Sequence, residues 1–515
     1  MATPHPAPRR RTATTLAALT ALLLSGCSAL GSERSEGPAA SGPGTATAAP
    51  AVSESLRPYY EQELNWRPCD EPGFQCATLN VPLDYADIDP AEDLQLALSR
   101  RRAGSAEERI GSLLLNPGGP GASGIAFLQH GAAVAFPSEV RAAYDLVGFD
   151  PRGTGRSEPV ACMDGADMDA FTATDRTPDT DAEIDSLLDA FTAFAESCQE
   201  RSGRLLEHIS TEESARDLDI LRAVLDDERL HYYGASYGTL LGATYAGLFP
   251  GRAGRLVLDA AVDPSLSTYE TDLQQAAGFE TALTSFLASC TSPCPLAAPD
   301  SLTTLLAELD ADPLPTNDPD RPLTESLALT GVAMALYSPS SWPQLTTALA
   351  AAIDDGDGAP LLALSDAYHD RGPDGSYGTL MYAFPAIACL DHPPALADPE
   401  AVQAALPDFT GASPTFGTDF AWSTLLCASW PVPSAHTPAP ITAPDAPPIL
   451  VLGTTRDPAT PHAWAESLAA QLETGVLLTH DGDGHGAYPG TTCINDAVNT
   501  YLLTGTTPPP DTTCT

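Results

Sequence analysis

Six short, mostly apolar runs lie at 113–115, 144–149, 230–233, 255–258, 449–452 and 476–478, the first five closed at once by Gly, Asp or Asn. Brief apolar runs of this length predict strands buried on both faces of a parallel sheet. Between two of them, Leu218, Leu221, Val224 and Leu225 recur at helical spacing. Ser210 and Glu213 ahead of that stripe predict a capping box. Strands alternating with helices imply an α/β sheet. After Pro264 the pattern changes. To about Pro440 the chain reads as helical and Pro-punctuated, with stripes at Leu327, Val332, Leu336 and at Leu345, Leu349, Ile353. Strand-like runs resume at Ala446, so the expected layout is one sheet interrupted by a helical cap. The predicted divisions are 56–265 for the first part of the core, 266–440 for the cap and 441–515 for the second part.

The N-terminus reads as an address. Arg9, Arg10 and Arg11 precede an apolar run from Ala13 to Leu24, too short to span a bilayer. It ends in Leu24-Ser25-Gly26-Cys27, which resembles a bacterial lipobox. Residues 1–26 are therefore expected to be a lipoprotein signal peptide, with Cys27 lipidated and membrane contact made through that anchor alone. Paired arginines leave both Sec and twin-arginine export open. Residues 27–55, rich in Ser, Gly, Ala, Pro and Thr, read as a flexible tether.

Net charge is −44, from 68 acidic and 24 basic residues, which disfavours nucleic acid as a partner. The basic residues are all Arg. Without lysine there is no Schiff base, P-loop lysine or Ser-Lys dyad. Of eleven cysteines, ten remain once Cys27 is set aside, an even number that reads as disulfides in an exported protein. Their spacing suggests neighbour pairing: Cys69–Cys76, Cys162–Cys198, Cys290–Cys294, Cys389–Cys427 and Cys493–Cys514. Zinc is the rival at Cys290 and Cys294, but no second ligand pair sits at metal spacing, so no metal is expected.

Gly234-Ala235-Ser236-Tyr237-Gly238 follows one predicted strand and precedes a helical stretch. In that strand–turn–helix context the pattern is a nucleophile elbow centred on Ser236. Its hydroxyl needs a base, expected late in the chain and oriented by an earlier acid. Asp457 follows the run 449–452. His485, between Gly484 and Gly486, follows the run 476–478, with His480 as rival. The oxyanion hole is expected from the N–H of Tyr237 and from Gly118 and Gly119, in the turn Asn116-Pro117-Gly118-Gly119-Pro120-Gly121. That turn lacks the spacing of a dinucleotide-binding loop. No cofactor is required by this chemistry.

Together these motifs resemble the secreted tripeptidyl aminopeptidase branch of the prolyl-aminopeptidase-like α/β hydrolases. The matches are P-G-G-P-G at 117–121, G-F-D-P-R-G-T-G-R-S at 148–157, G-A-S-Y-G at 234–238, R-D-P-A-T-P at 456–461 and G-H-G at 484–486. Leu336-Tyr337, Trp342-Pro343 and Ala388-Cys389-Leu390-Asp391 extend them into the cap. The resemblance covers roughly residues 64–514. It implies an α/β-hydrolase fold and an exported exopeptidase that removes short peptides, tripeptides by the family's pattern, from free N-termini. An esterase or amidase acting on small molecules is the alternative, and a non-catalytic peptide-binding lipoprotein a third reading. One departure stands out: Leu258-Asp259-Ala260 occupies the place of a common L-D-G. An exopeptidase also needs a carboxylate for the substrate ammonium. Asp391 is the first candidate, followed by Glu270 and Asp272.

Overall fold

The computed structural model describes residues 52–515, apart from 106, 291–293, 297–300 and 435. The expected signal peptide, Cys27 and most of the expected tether lie outside the described residues. Ten strands form one sheet among the described residues: β1 (Arg67–Pro68), β2 (Gln75–Val81), β3 (Leu94–Arg101), β4 (Gly111–Asn116), β5 (Tyr144–Phe149), β6 (Leu230–Ala235), β7 (Ala253–Asp259), β8 (Ile449–Arg456), β9 (Gly475–Asp483) and β10 (Thr512–Cys514). Their spatial order is β1-β2-β3-β5-β4-β6-β7-β8-β9-β10. From β5 through β10 every neighbouring pair is parallel, while β1, β2 and β3 add an antiparallel edge. This is the mostly parallel α/β-hydrolase sheet that the motifs imply.

All six apolar runs are strands, and alternate residues feed opposite faces. Leu114, Leu256, Leu258, Ile449 and Val451 enter one core, whereas Leu113, Leu115, Val257, Leu450 and Leu452 enter the other. The runs are mostly apolar because both faces are covered, with Asp145, His231 and Arg255 as the exceptions. The antiparallel edge strands carry a different pattern. In β3, Leu94, Leu96 and Leu98 are buried while Gln95 is exposed, the alternation of a half-covered strand.

Segment 148–157 explains itself as an organiser of this edge. The Arg152 guanidinium is fully buried, pairs with Asp217 at 2.7 and 2.8 Å, and donates to the carbonyls of Pro82, Leu83 and His208. Asp150 accepts from the Ser123 hydroxyl and the Ile125 N–H, fixing the helix that follows the glycine turn.

Between β7 and β8 the chain is helical, from Thr268–Ser289 to Leu425–Ala428. This region has an apolar core of its own, built on Phe279, Phe286, Leu327, Leu336, Leu345 and Leu361. It also shares one with the long helix Asp181–Leu206 between β5 and β6, through Phe191, Phe409 and Trp422. Two details depart from the sequence pattern. The stripe Leu345, Leu349, Ile353 breaks at Ile353, which is 37% exposed, because the helix Trp342–Ala350 widens into a π turn at Ala351–Asp355 and shifts the angular phase. Ser210 does cap the helix Thr211–Val224 by accepting from the Glu213 N–H. The Glu213 carboxylate, however, turns instead to the Ser210 hydroxyl and to Arg152 at 3.5 Å, so no reciprocal box forms.

All five neighbour disulfides are present: Cys69–Cys76, Cys162–Cys198, Cys290–Cys294, Cys389–Cys427 and Cys493–Cys514. The two longest loops, of 36 and 38 residues, tie the β5–β6 connection and the helical region. Among the described residues no helix is long and apolar enough to cross a membrane.

Candidate active site

Ser236 stands between β6 and the helix Tyr237–Leu248 with φ 55° and ψ −126°, a conformation L-residues rarely adopt. Its N–H donates to the Asp259 carbonyl at 2.9 Å, which pins the elbow to the end of β7. The turn closes only because its neighbours are small: a Cβ on Gly234 would stand 2.3 Å from the Gly238 carbonyl oxygen. Strain held by such surrounding structure is a mark of a functional position.

The loops after β8 and β9 bring the other two residues together. His485 Nδ1 lies 2.8 and 3.0 Å from the two carboxylate oxygens of Asp457. Asp457 is 2% exposed and accepts from the N–H groups of Ala459, Thr460 and Gly486, so its orientation is fixed independently of the imidazole. A carboxylate at Nδ1 places the proton there and leaves Nε2 as the basic nitrogen. Burial lowers the pKa of His485, but the charge of Asp457, its hydrogen bond and the more distant Asp259 outweigh it and raise the value above the ordinary one. No hydrogen bond joins Ser236 Oγ to His485 among the described residues; such contacts often tighten only when substrate is bound. His480 lies within β9, makes no contact with Asp457, and has a buried Nδ1 without a partner among the described residues.

Two supports of His485 come from elsewhere. Asp259 accepts from the N–H groups of Ala487 and Tyr488, holding the loop from below. Tyr337, at the end of the helix Glu325–Leu336, receives the His485 N–H on its carbonyl at 2.8 Å and sets its ring edge-on to the imidazole at 5.2 Å. Gly484 passes this contact at φ 100°. The helical region therefore braces the imidazole directly.

The glycine turn after β4 meets the elbow face to face. A Cβ on Gly118 would lie 2.5 Å from the Ala235 carbonyl oxygen and 2.9 Å from Ser236 Cβ. Its N–H, however, donates to Asn116 Oδ1 at 2.8 Å, which corrects its expected place as an oxyanion donor. Gly118 serves by leaving space. The N–H groups of Gly119 and Tyr237 carry no partner among the described residues.

Comparison with known proteins places the chain among hydrolases. The chain is similar to the serine protease Hip1 of Mycobacterium tuberculosis, 37% identical over 494 residues, covering 89% of this chain and 92% of the relative. It is 36% identical to a carboxylesterase B from the same organism, over 85% of this chain and 86% of the relative. It is also 34% identical to the tripeptidyl aminopeptidase of Streptomyces lividans, over 86% of this chain and 83% of the relative. The model of a family described as TAP-like protein matches residues 413–514. The chain belongs to the tripeptidyl-aminopeptidase-like family of α/β hydrolases. It is a serine hydrolase.

Within this TAP-like hydrolase, the departure at Ala260 has a visible cost. Ala260 sits at φ 58°, the left-handed region that glycine enters freely. Ala260→Gly is expected to stabilise the protein by roughly 1 kcal/mol, read as a shifted midpoint in chemical denaturation. An unchanged or lower midpoint would show that the local backbone is unstrained.

The three expected ammonium anchors separate clearly. Asp391 is buried, and its oxygens accept from the N–H (2.9 Å) and hydroxyl (2.6 Å) of Thr211, whose hydroxyl also contacts that of Tyr237. Burial raises Asp391 to about 7. It staples the helix Leu380–Asp391 to the helix Thr211–Val224, which corrects its expected place as anchor. Glu270 is likewise committed, since it closes a capping box with Ser267. Asp272 has no hydrogen bond or ion pair among the described residues, and burial alone raises it to about 7. It lies on the helix Thr268–Ser289, whose Gln275 donates to the Ala459 carbonyl at 2.6 Å, so that helix rests on the Asp457 loop.

Reading the sequence alone passes over Asp259, Asn116 and Thr460. Thr460 places its hydroxyl 3.4 Å from His485 Nδ1. The signal for Asp259 was available in the L-D-A triplet after β7, where attention falls on the missing glycine.

Proposed function

We propose that this serine hydrolase is an exported exopeptidase releasing short peptides, tripeptides by the family resemblance, from free N-termini. The strained Ser236 elbow beside a His485–Asp457 pair carries the reading. Ser236 attacks the scissile carbonyl, and His485 takes its proton and returns it to the leaving amine. Asp457 holds the imidazole and stabilises its charged form. The developing oxyanion rests on the N–H groups of Tyr237 and Gly119.

Asp272 supplies the ammonium anchor in this reading, because a half-buried carboxylate without a partner among the described residues is stabilised by an incoming cation. Asp272→Asn is expected to raise KM for free peptides about ten- to a hundredfold, the worth of a charge-assisted hydrogen bond, with kcat little changed. Wild-type KM should worsen as pH falls through about 7, where Asp272 takes up a proton, and the variant should lose that dependence. Equal KM values for the two proteins would remove Asp272 from this role.

The decisive experiment is a panel of chromogenic mono-, di- and tripeptide amides, free and N-acetylated, beside simple esters. Cleavage of free tripeptide amides but not acetylated ones is expected. The similarity to a carboxylesterase favours a second reading, an esterase or amidase, which equal cleavage of acetylated and free substrates would establish. The lipobox supports anchoring through Cys27. Cys27→Ala should release active enzyme from the cell surface into the medium, and retention at the surface would exclude the anchor.

A further inference from the structure

Beside the catalytic residues lies a cavity of about 750 Å³, of the size that takes one large side chain or a small ligand. One wall is His485 with the chain that follows it, Gly486 to Thr491, and the floor includes Ala235 and Ala260. Among the described residues none between β7 and β8 beyond Ala260 lines it. The cavity thus belongs to the sheet domain and lies apart from the helix that carries Asp272.

Four aromatic rings form its body. Tyr233 packs edge-on to Phe136 at 5.3 Å, parallel to Phe127 at 6.3 Å and against Tyr488 at 5.9 Å, with Phe136 and Tyr488 again edge-on. The polar ends of the tyrosines are spent elsewhere. The Tyr233 hydroxyl donates to the Tyr488 carbonyl at 2.8 Å, and that of Tyr488 donates to Asn499 at 2.8 Å. What faces the cavity is therefore mostly ring and aliphatic surface, with no acid, Arg or amide side chain in the wall; its polar side chains are His480, His485 and Thr491. Such a space favours an apolar or aromatic group and penalises a charge, which would lose its hydration without a partner.

We infer that this cavity receives the side chain of the residue immediately after the cut, and that it selects apolar and aromatic residues there. The inference rests on the triad reading of Ser236 and His485. His485 must deliver its proton to the leaving nitrogen, so that nitrogen stands beside the imidazole. The leaving segment then continues along the His485 loop, into the aromatic space. The acyl half of the substrate stays on Ser236, outside this cavity.

Acyl transfer tests this without relying on aminopeptidase activity. p-Nitrophenyl acetate releases p-nitrophenol and leaves an acetyl ester on Ser236. An amino acid amide then competes with water. Its nitrogen attacks the acetyl carbonyl, a C–N bond forms as the C–O bond to Ser236 breaks, and His485 passes the amine proton to the departing Ser236 oxygen. By microscopic reversibility the ratio of acetyl-amide to acetate reports how well the amine occupies the leaving-group site. At equal concentrations, phenylalaninamide should transfer roughly tenfold or more better than glycinamide or aspartic acid amide. Gly131 lies in the wall, where an added Cβ meets nothing closer than 3.8 Å. Gly131→Phe should fill the cavity and bring the phenylalaninamide-to-glycinamide ratio close to one. Ala135→Trp, at an exposed rim position, should do the same if the first variant folds poorly.

Equal transfer to all three amides by the wild-type enzyme overturns the inference. So does a phenylalanine preference that survives in either folded variant. Absence of acetyl transfer to any acceptor, water included, overturns it together with the triad. Cleavage of acetylated and free peptides alike would remove the exopeptidase reading while leaving the transfer ratios to stand.

Discussion

Replacing Ser236 with alanine is expected to lower kcat by on the order of 10⁴ or more while leaving the thermal transition intact. His485→Ala should cost about as much, and the double variant little more than either single one, because the residues act as a unit. Fluorophosphonate labelling should vanish in Ser236→Ala. The pH profile gives an independent check. His485 must be neutral to accept the serine proton, so activity falls on the acid side as the imidazole charges. Asp457 raises that transition above the ordinary histidine value. Asp457→Asn should move the acid limb to lower pH and cut kcat by roughly 10³–10⁴, since the imidazolium loses its partner and the wrong tautomer becomes available. A Ser236→Ala protein with wild-type turnover would sink the assignment.

The second large effect is expected at a residue that donates nothing to the reaction. In Gly118→Ala the new methyl would fall 2.5 Å from the Ala235 carbonyl oxygen and 2.9 Å from Ser236 Cβ, at a φ of 98° that alanine resists. Neither neighbour can yield, because both belong to the elbow. The glycine turn must then retreat from Ser236, carrying the Gly119 N–H away from the developing oxyanion. A displaced donor of this kind costs about 10²–10³ in kcat. The forced backbone adds roughly 1–3 kcal/mol of instability. Gly251→Ala is the control, since a Cβ there meets nothing within 4 Å and should be nearly silent. Comparable activities for the two variants would show that the turn is not held against the elbow.

Much of this protein is decided by local pattern. Strands buried on both faces must be apolar throughout, so β4 to β9 announce themselves. The elbow needs glycines around Ser236, and a His between two glycines at a strand end has no ordinary packing use. Disulfides between sequence neighbours close short loops and need no knowledge of the fold. Other features depend on which partners arrive from afar. Strands β2 and β3 alternate because only part of their surface is covered, a matter settled by what packs on the edge. Ile353 leaves its stripe because a π turn shifts the helical phase. Gly118 and Gly119 look alike as donors in the chain, and only Asn116, folding back onto Gly118, separates them. The same holds for the acids. Asp391 and Asp272 are indistinguishable among 68 acidic residues, while Glu270 stands in a local S-x-x-E capping pattern behind Ser267. A carboxylate's role follows from whether its oxygens already have donors: Ser267, the cap of its own helix, satisfies Glu270 locally, whereas Thr211 reaches Asp391 from a helix distant in sequence and Asp272 is left without a donor among the described residues. Residue type and spacing determine the chemistry available here; long-range contacts determine which groups remain free to use it.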